Sequence, residues 1–281
     1  KHYEIYAYNN YLPTLLEFKH KAMDIYSDIS DYLELKKAKL LPPDDDNLML
    51  KGFYPPIYDQ KIPPADWCPN YIRTYIEKDV RQIKNITDLI VFERFMKLLA
   101  GRSGQELNNS ALAVETGVDV KTIQSWIGIL ESSFIIYLLK PHHKNFNKTI
   151  VKRPKLYFYD SAIVCYLLGI RDSNQLQTHP LRGAIFEGMV VTELIKKRTN
   201  AGLPINLFYW RDKTGHEIDI IIDNAGKLLP IEIKSGKTIN PAFFYAVLMW
   251  QPFLDRVQQL KASGINDTEA WTQAGVDVMR R

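Results

Sequence analysis

Residues 215–235 read GHEIDIIIDNAGKLLPIEIKS, and the way this stretch folds decides the architecture of the C-terminal half. Two aliphatic runs, HEIDIIID and KLLPIEIKS, flank Asn224-Ala225-Gly226, whose composition favours a tight turn. A third run, INLFYWR, comes just before the turn sequence Asp212-Lys213-Thr214-Gly215. The pattern predicts three strands in quick succession. Side chains alternate along a strand, so Ile218, Ile220 and Ile222 are expected on one face and Glu217 and Asp219 on the other. In the third strand Ile231 and Ile233 oppose Glu232 and Lys234. Antiparallel pairing of these two strands then sets Asp219, Glu232 and Lys234 on a common polar face.

Upstream, RGAIFEGMVVTELIKKR has the spacing of an amphipathic helix, with Phe186, Val190 and Leu194 inside. Lys196, Lys197 and Arg198 fall at its C-terminal end, where cations suit the helix dipole. Glu187 lies beside the apolar stripe, within reach of the same polar face. Such a set suits metal-assisted phosphodiester hydrolysis. Hard carboxylate oxygens hold Mg2+ or Mn2+, which polarises the phosphate and lowers the pKa of a bound water. A lysine stabilises the pentavalent anion and orients the attacking water. An ExK pair by itself is more readily an ordinary charged sheet surface. This one is set apart by GHEIDIII, by the Glu of IEIKS thirteen residues after Asp219, and by the helical Glu187 upstream.

The middle of the chain carries a second pattern. In NNSALAVETGVDVKTIQSWIGILESSF, Ser110 is the expected N-cap of a short helix over Ala111 to Thr116. Gly117 supplies a left-handed turn, and Asp119 caps a second helix running to about Ser132. Small Ala113, then Gly117, Ile123 and Trp126, match the spacing of a helix-turn-helix. Strands are expected over Phe134 to Leu139 and Leu156 to Tyr159. Between Ser132 and Tyr159 there is no acidic residue, whereas Lys140, His142, His143, Lys144, Lys148, Lys152, Arg153 and Lys155 all occur. A basic hairpin beside a helix-turn-helix is a natural phosphate clamp, with Lys144, Lys148, Lys152 and Arg153 as its candidate nucleic-acid contacts. A solvated cationic loop is the plainer alternative. Adjacent His142 and His143 point to different sides of a strand and lack a third ligand, so they are expected as exposed loop residues.

Nearer the start, residues 1 to about 50 show helical spacing and end in the breaker Pro42-Pro43-Asp44-Asp45-Asp46, expected as a loop. GFYPP and KIPPADWCPN form a proline-punctuated connector. From Pro69 a helix is expected with Tyr71, Ile72, Tyr75, Ile76 and Val80 on one face, then another over Leu89 to Ala100 with Phe92, Phe95, Met96 and Leu99 as its stripe.

The 281 residues can hold two domains, and 46% apolar with 24% charged residues is ordinary for a globular protein. A net charge of +4 permits a nucleic-acid partner without requiring one. Two distant cysteines, Cys68 and Cys165, exclude a disulfide framework or a zinc site, and a reducing cytoplasm fits best. No apolar run reaches the ~18–20 residues of a membrane span, and no signal peptide opens the chain. The start at Lys1 without an initiator Met leads to the expectation of a missing upstream part.

Residues 183–236 resemble the PD-(D/E)XK nuclease superfamily, and GHEID…PIEIKS is similar to the core of archaeal Holliday-junction resolvases. The resemblance implies a mixed β-sheet flanked by helices. It also implies metal ligation by Asp219, Glu232 and the Ile233 carbonyl, with Glu187 assisting and Lys234 catalytic. Over residues 52–245 the order of GFYPP…YIRTYIEKDV, the helix-turn-helix, LYFYDSAIVCYLLGI, GAIFEGMVVTELIK and IEIKSGKTIN looks like the C-terminal region of bacterial and archaeal AAA-type ATP-binding proteins. In that family a P-loop ATPase precedes a winged-helix segment and a nuclease-like domain of unknown function. No G-x-x-x-x-G-K-[ST] occurs in this chain, since GRSGQELN lacks the lysine and the preceding strand, so ATP is expected only in a longer parent protein. The tail after Trp250, including QQLKASGINDTEAWTQAGVDVMRR, departs from the strand–helix pattern that finishes such a domain.

The expected α/β organisation is therefore a helical and connector segment over 1–68 that ends an upstream ATPase, a helical/winged-helix domain over 69–170, and a nuclease-like domain over 171–281. Three readings of function follow. One is a Mg2+- or Mn2+-dependent DNA endonuclease. Another is a non-catalytic module that binds nucleic acid or protein under control of the ATPase, and the third is a structural interaction domain. Any of them permits an oligomer.

Overall fold

The structure is a computed structural model that describes residues 45–75, 89–142, 153–211, 217–224, 227–235, 259 and 262–265. These form a mixed α/β molecule of helices and small antiparallel sheets. They divide into a helical unit, 45–139 with 153–205, and a sheet unit, 140–142 with 206–265. The helical spacing read over 1–44, the positions Ile76 and Val80, His143, the turns at 212–215 and 225–226, and nearly all of the tail lie outside the described residues.

The helical unit comprises α1 (Asp45–Lys51), α2 (Pro55–Asp59), α3 (Pro64–Tyr75), α4 (Leu89–Ala100), α5 (Asn109–Thr116), α6 (Val120–Ser132), β1 (Ile136–Leu139), β2 (Lys155–Phe158), α7 (Ser161–Leu167), α8 (Ser173–Thr178) and α9 (Arg182–Asn200). Helix α4 has the bounds its periodicity predicts, and its stripe of Phe92, Phe95, Met96 and Leu99 is fully buried. Burial of side chains this size contributes about 1.5–3 kcal/mol each, which is why the stripe specifies the helix face. Trp126 of α6 closes on Phe92 edge-to-face, with ring centroids 5.2 Å apart. The α5–α6 turn forms as expected: Gly117 has φ 77° and donates its N–H to Ala113 O at 2.9 Å.

Three local expectations are corrected. The N-cap of α5 is Asn108, whose Oδ1 accepts from Ala111 N at 3.1 Å, not Ser110, because helix starts two residues earlier. Helix α3 begins at Pro64 and runs through Pro69, so Pro69, the expected start, lies in its interior. Asp45 and Asp46 open helix α1 and do not continue a loop; buried Asp46 accepts from Arg182 Nε at 2.7 Å, a partner 136 positions away that local composition cannot reveal.

Strands β1 and β2 pair antiparallel, Ile136 opposite Phe158. Residues 104–107 run along the other edge of β2, with Gly104 N donating to Leu156 O at 2.7 Å and Leu156 N to Gln105 O at 3.0 Å. The order from α4 onward is thus helix, short bridge, helix, helix, strand, strand.

In the sheet unit β3 (Leu207–Arg211), β4 (Glu217–Asn224) and β5 (Lys227–Ile231) follow one another in an antiparallel meander. Lys140–His142 run along β3 on its outer side: Tyr209 N donates to Lys140 O at 3.0 Å and His142 N to Tyr209 O at 2.7 Å. The alternation expected for β4 breaks at a bulge. Phe208 faces Ile221 and Trp210 faces Ile218, so Asp219 and Ile220 together oppose Tyr209. Ile218 and Ile221 therefore share one cluster with Phe208, Trp210 and Leu228, although strict alternation separates them. The strand is buried from Ile218 through Ile222, so both its faces are covered and no open polar face exists there.

Candidate functional site

Pairing of Ile220 with Ile231 makes Asp219 and Glu232 the next opposed positions of β4 and β5. Beyond Ile231 the backbone leaves the ladder, and the Ile233 N–H turns to Asp219 Oδ2 at 2.7 Å. This bond holds the ends of the two strands together through a side chain. Lys234 Nζ donates to Glu232 Oε1 at 2.5 Å and lies 3.7 Å from Asp219 Oδ2. Both carboxylates are buried while the lysine side chain is 35% exposed. The structure thus brings together Asp219, Glu232 and Lys234, with the Ile233 peptide between them. Two buried carboxylates thus share one partly exposed ammonium. The hard oxygen donors suit Mg2+ or Mn2+, which commonly takes one or two protein carboxylates and completes its shell with water and phosphate oxygens. Among the described residues no group of three or more His, Cys, Asp and Glu side chains is gathered for a metal ion.

Glu187 lies in the helical unit, on α9. Its Oε1 accepts from Lys155 Nζ at 2.9 Å and from Tyr157 Oη at 2.5 Å. Lys155 is 3% exposed, so this is a buried ion pair between β2 and α9. Leu194, expected inside, is half-buried, and Ile195 takes the inner position.

Of the candidate nucleic-acid contacts, Lys144, Lys148 and Lys152 lie outside the described residues and Arg153 is exposed. His142 is a correction: it is buried, not an exposed loop residue. Its Nε2 lies 3.5 Å from Asp223 Oδ2, and its ring meets Phe208 edge-on at 5.4 Å. The pairing of Lys140–His142 along β3 buries it, a long-range contact that local sequence does not signal.

Sequence reasoning also passed over Asp160. This buried carboxylate caps α7 through Ala162 N at 2.9 Å and accepts from Phe53 N at 2.7 Å. Burial pushes its pKa up to about 6, against the lowering effect of the Phe53 N–H and Lys196. Gly52, at φ 62°, makes room for it, since a Cβ there would lie 1.9 Å from Asp160 Oδ1. Gly in GFYPP was the available signal, because a glycine between a helix and a prolyl turn often marks a close approach. Cys68 and Cys165 are buried, free thiols, both pushed up to about 12 chiefly by burial.

Comparison with known proteins finds two family models. One, a domain of unknown function (DUF8612), matches residues 44–174, and another, a domain of unknown function (DUF4143), matches 182–270. The chain is similar to uncharacterized proteins of Mycobacterium bovis and Mycobacterium tuberculosis. Each is 29% identical over 195 residues, which cover 69% of this chain and 43% of the relative. The matched part is thus under half the length of these relatives. No solved structure gives a significant match. Among the described residues no helix is long and apolar enough to cross a membrane.

Proposed function

We propose that this chain is the C-terminal part of an AAA-type ATP-binding protein of the cytoplasm, and that its sheet unit is a PD-(D/E)XK nuclease-like domain acting on DNA. The convergence of Asp219, Glu232 and Lys234 at the ends of β4 and β5 carries this reading. In it, Asp219, Glu232 and the Ile233 carbonyl hold Mg2+ or Mn2+. The bound ion would supply Lewis-acid polarisation of a phosphate oxygen and a more acidic water. Lys234, the most exposed of the three, would leave Glu232 to face the charge that develops on the phosphate. The bulge at Asp219–Ile220 supports the reading, because bulges often re-aim side chains beside active sites. Glu187 belongs to the helical unit, where Lys155 and Tyr157 already hold it.

For the helical unit, the order helix, bridge, helix, helix, strand, strand supports a winged helix, with Lys144, Lys148, Lys152 and Arg153 as phosphate contacts. ATP belongs to the remainder of the parent protein, in keeping with relatives more than twice the matched length.

Calorimetric titration of Mn2+ into wild type and Asp219→Asn tests the site. Binding in wild type alone supports it and justifies assays on linear and branched DNA. A second reading, a non-catalytic module that docks DNA or protein, is favoured by the absence of a third gathered ligand among the described residues. Failure of wild type to bind Mn2+ would establish that second reading over the first.

A further inference from the structure

Helix α6 ends in an unusual way. Its last residues are followed by Ser133 and then by Phe134, which adopts φ 56° while Ile135 N closes onto Leu130 O at 2.9 Å. This left-handed position after a helix is normally glycine, because a Cβ there is strained. Here it holds a phenylalanine that is 68% exposed. Neither backbone preference nor burial favours an aromatic ring at this place, and strain of this kind is retained where it serves a function.

The surroundings give the ring a chemistry. Phe134 meets Tyr159 at 5.8 Å and 66°, and Tyr137 meets Tyr159 at 6.0 Å and 80°. Tyr159 is thus flanked by two rings set steeply to it. Glu131, one turn back on α6, is exposed and makes no ion pair among the described residues. Its charge bears on both phenols: Tyr137 is pushed up to about 12 by burial and then by Tyr159 and Glu131, and Tyr159 is raised by burial and Glu131. Three aromatic rings beside a carboxylate attract a cation through the ring quadrupoles and by direct charge.

We infer that Phe134, Tyr137, Tyr159 and Glu131 form a recognition site for a guanidinium or ammonium group presented by a partner protein. Glu131 repels phosphate, so the chemistry favours a basic protein segment over nucleic acid at this end of α6. All four residues belong to the helical unit, and none of them takes part in the proposed carboxylate–lysine centre.

The test uses the full chain with labelled aromatic rings, titrated at constant ionic strength with N-acetylarginine amide and with its neutral isostere N-acetylcitrulline amide. Saturable shifts of the Tyr137 and Tyr159 ring signals are expected with the arginine compound alone, weakened about fivefold in Glu131→Gln. Phe134→Gly should abolish the shifts while leaving the melting temperature unchanged or higher, since glycine suits φ 56°. Equal shifts with citrulline, an unchanged response in Glu131→Gln, or a sharp fall in melting temperature in Phe134→Gly would each overturn the inference. So would shifts produced by oligothymidylate and not by arginine, which would assign this surface to nucleic acid.

Discussion

In the sheet unit one ammonium, Lys234, serves two buried carboxylates, Asp219 and Glu232; in the helical unit one carboxylate, Glu187, serves two donors, Lys155 and Tyr157. The residue types are nearly the same and the proportions are reversed. Glu187 already accepts from an ammonium and a phenol, so it has little to gain from a further ion. Two carboxylates around one partly exposed lysine are the group on which the proposed metal site rests. The first arrangement ties β2 to α9; the second ties the ends of β4 and β5 and is the one proposed to hold a metal ion. Asp160 is a third case, a buried carboxylate held by the N–H groups of Phe53 and Ala162. Burial moves its pKa up in spite of those N–H groups and of Lys196.

The largest effect is expected where the buried pair is broken. Glu187→Ala removes the carboxylate that Lys155 and Tyr157 share in the interior, and should cost about 3–5 kcal/mol in urea unfolding. The double variant Lys155→Met/Glu187→Met should recover most of that loss. Recovery would fit an ion pair whose role is packing, whereas a double variant as unstable as the single one would break the contrast between the clusters.

Asp160 should give the next effect, through pH. Its folded pKa of about 6 exceeds the ordinary aspartate value of 3.8, so between these values the folded state binds more protons than the unfolded state. Its contribution to stability is full below pH 3.8 and is lost as pH rises through 6. The total change is about 3 kcal/mol at most. Urea melts from pH 4 to pH 7 should show this loss in wild type relative to Asp160→Asn, and parallel profiles would contradict it.

Asp219→Asn keeps an oxygen for the Ile233 N–H and should lower stability by only about 1–2 kcal/mol. Mn2+ binding should nevertheless vanish. A large loss of stability with metal binding retained would make Asp219 a second structural carboxylate, like Glu187. The smallest effect concerns caps. Asn108→Ala should cost about 1 kcal/mol and Ser110→Ala within about 0.5 kcal/mol, measured by thermal melts.

Local rules carried far in some segments and failed in others for identifiable reasons. Helix α4 was legible to the residue, because its apolar stripe alone decides its face. The α5–α6 turn was legible because Gly117 and Asp119 act within a few residues of themselves. The nearness of Asp219, Glu232 and Lys234 was also read in advance, although through an alternation that the bulge breaks. Their functional roles rest on the proposal and not on that geometry. The partners of Asp46, His142 and Asp160 lie 136, 81 and 107 positions away, and no periodicity reaches so far.

The sequence by itself determined helix α4, the α5–α6 turn, helix α9, and the run of strands β3 to β5. These follow from backbone preference and side-chain spacing, which act over one or two turns of chain. Only the tertiary structure decided that Glu187 is held by Lys155 and Tyr157, that His142 is buried against Phe208 and Asp223, and that Phe134 stands exposed in a left-handed conformation. Burial and charge pairing depend on which distant segments meet, and that is settled by packing of the whole unit.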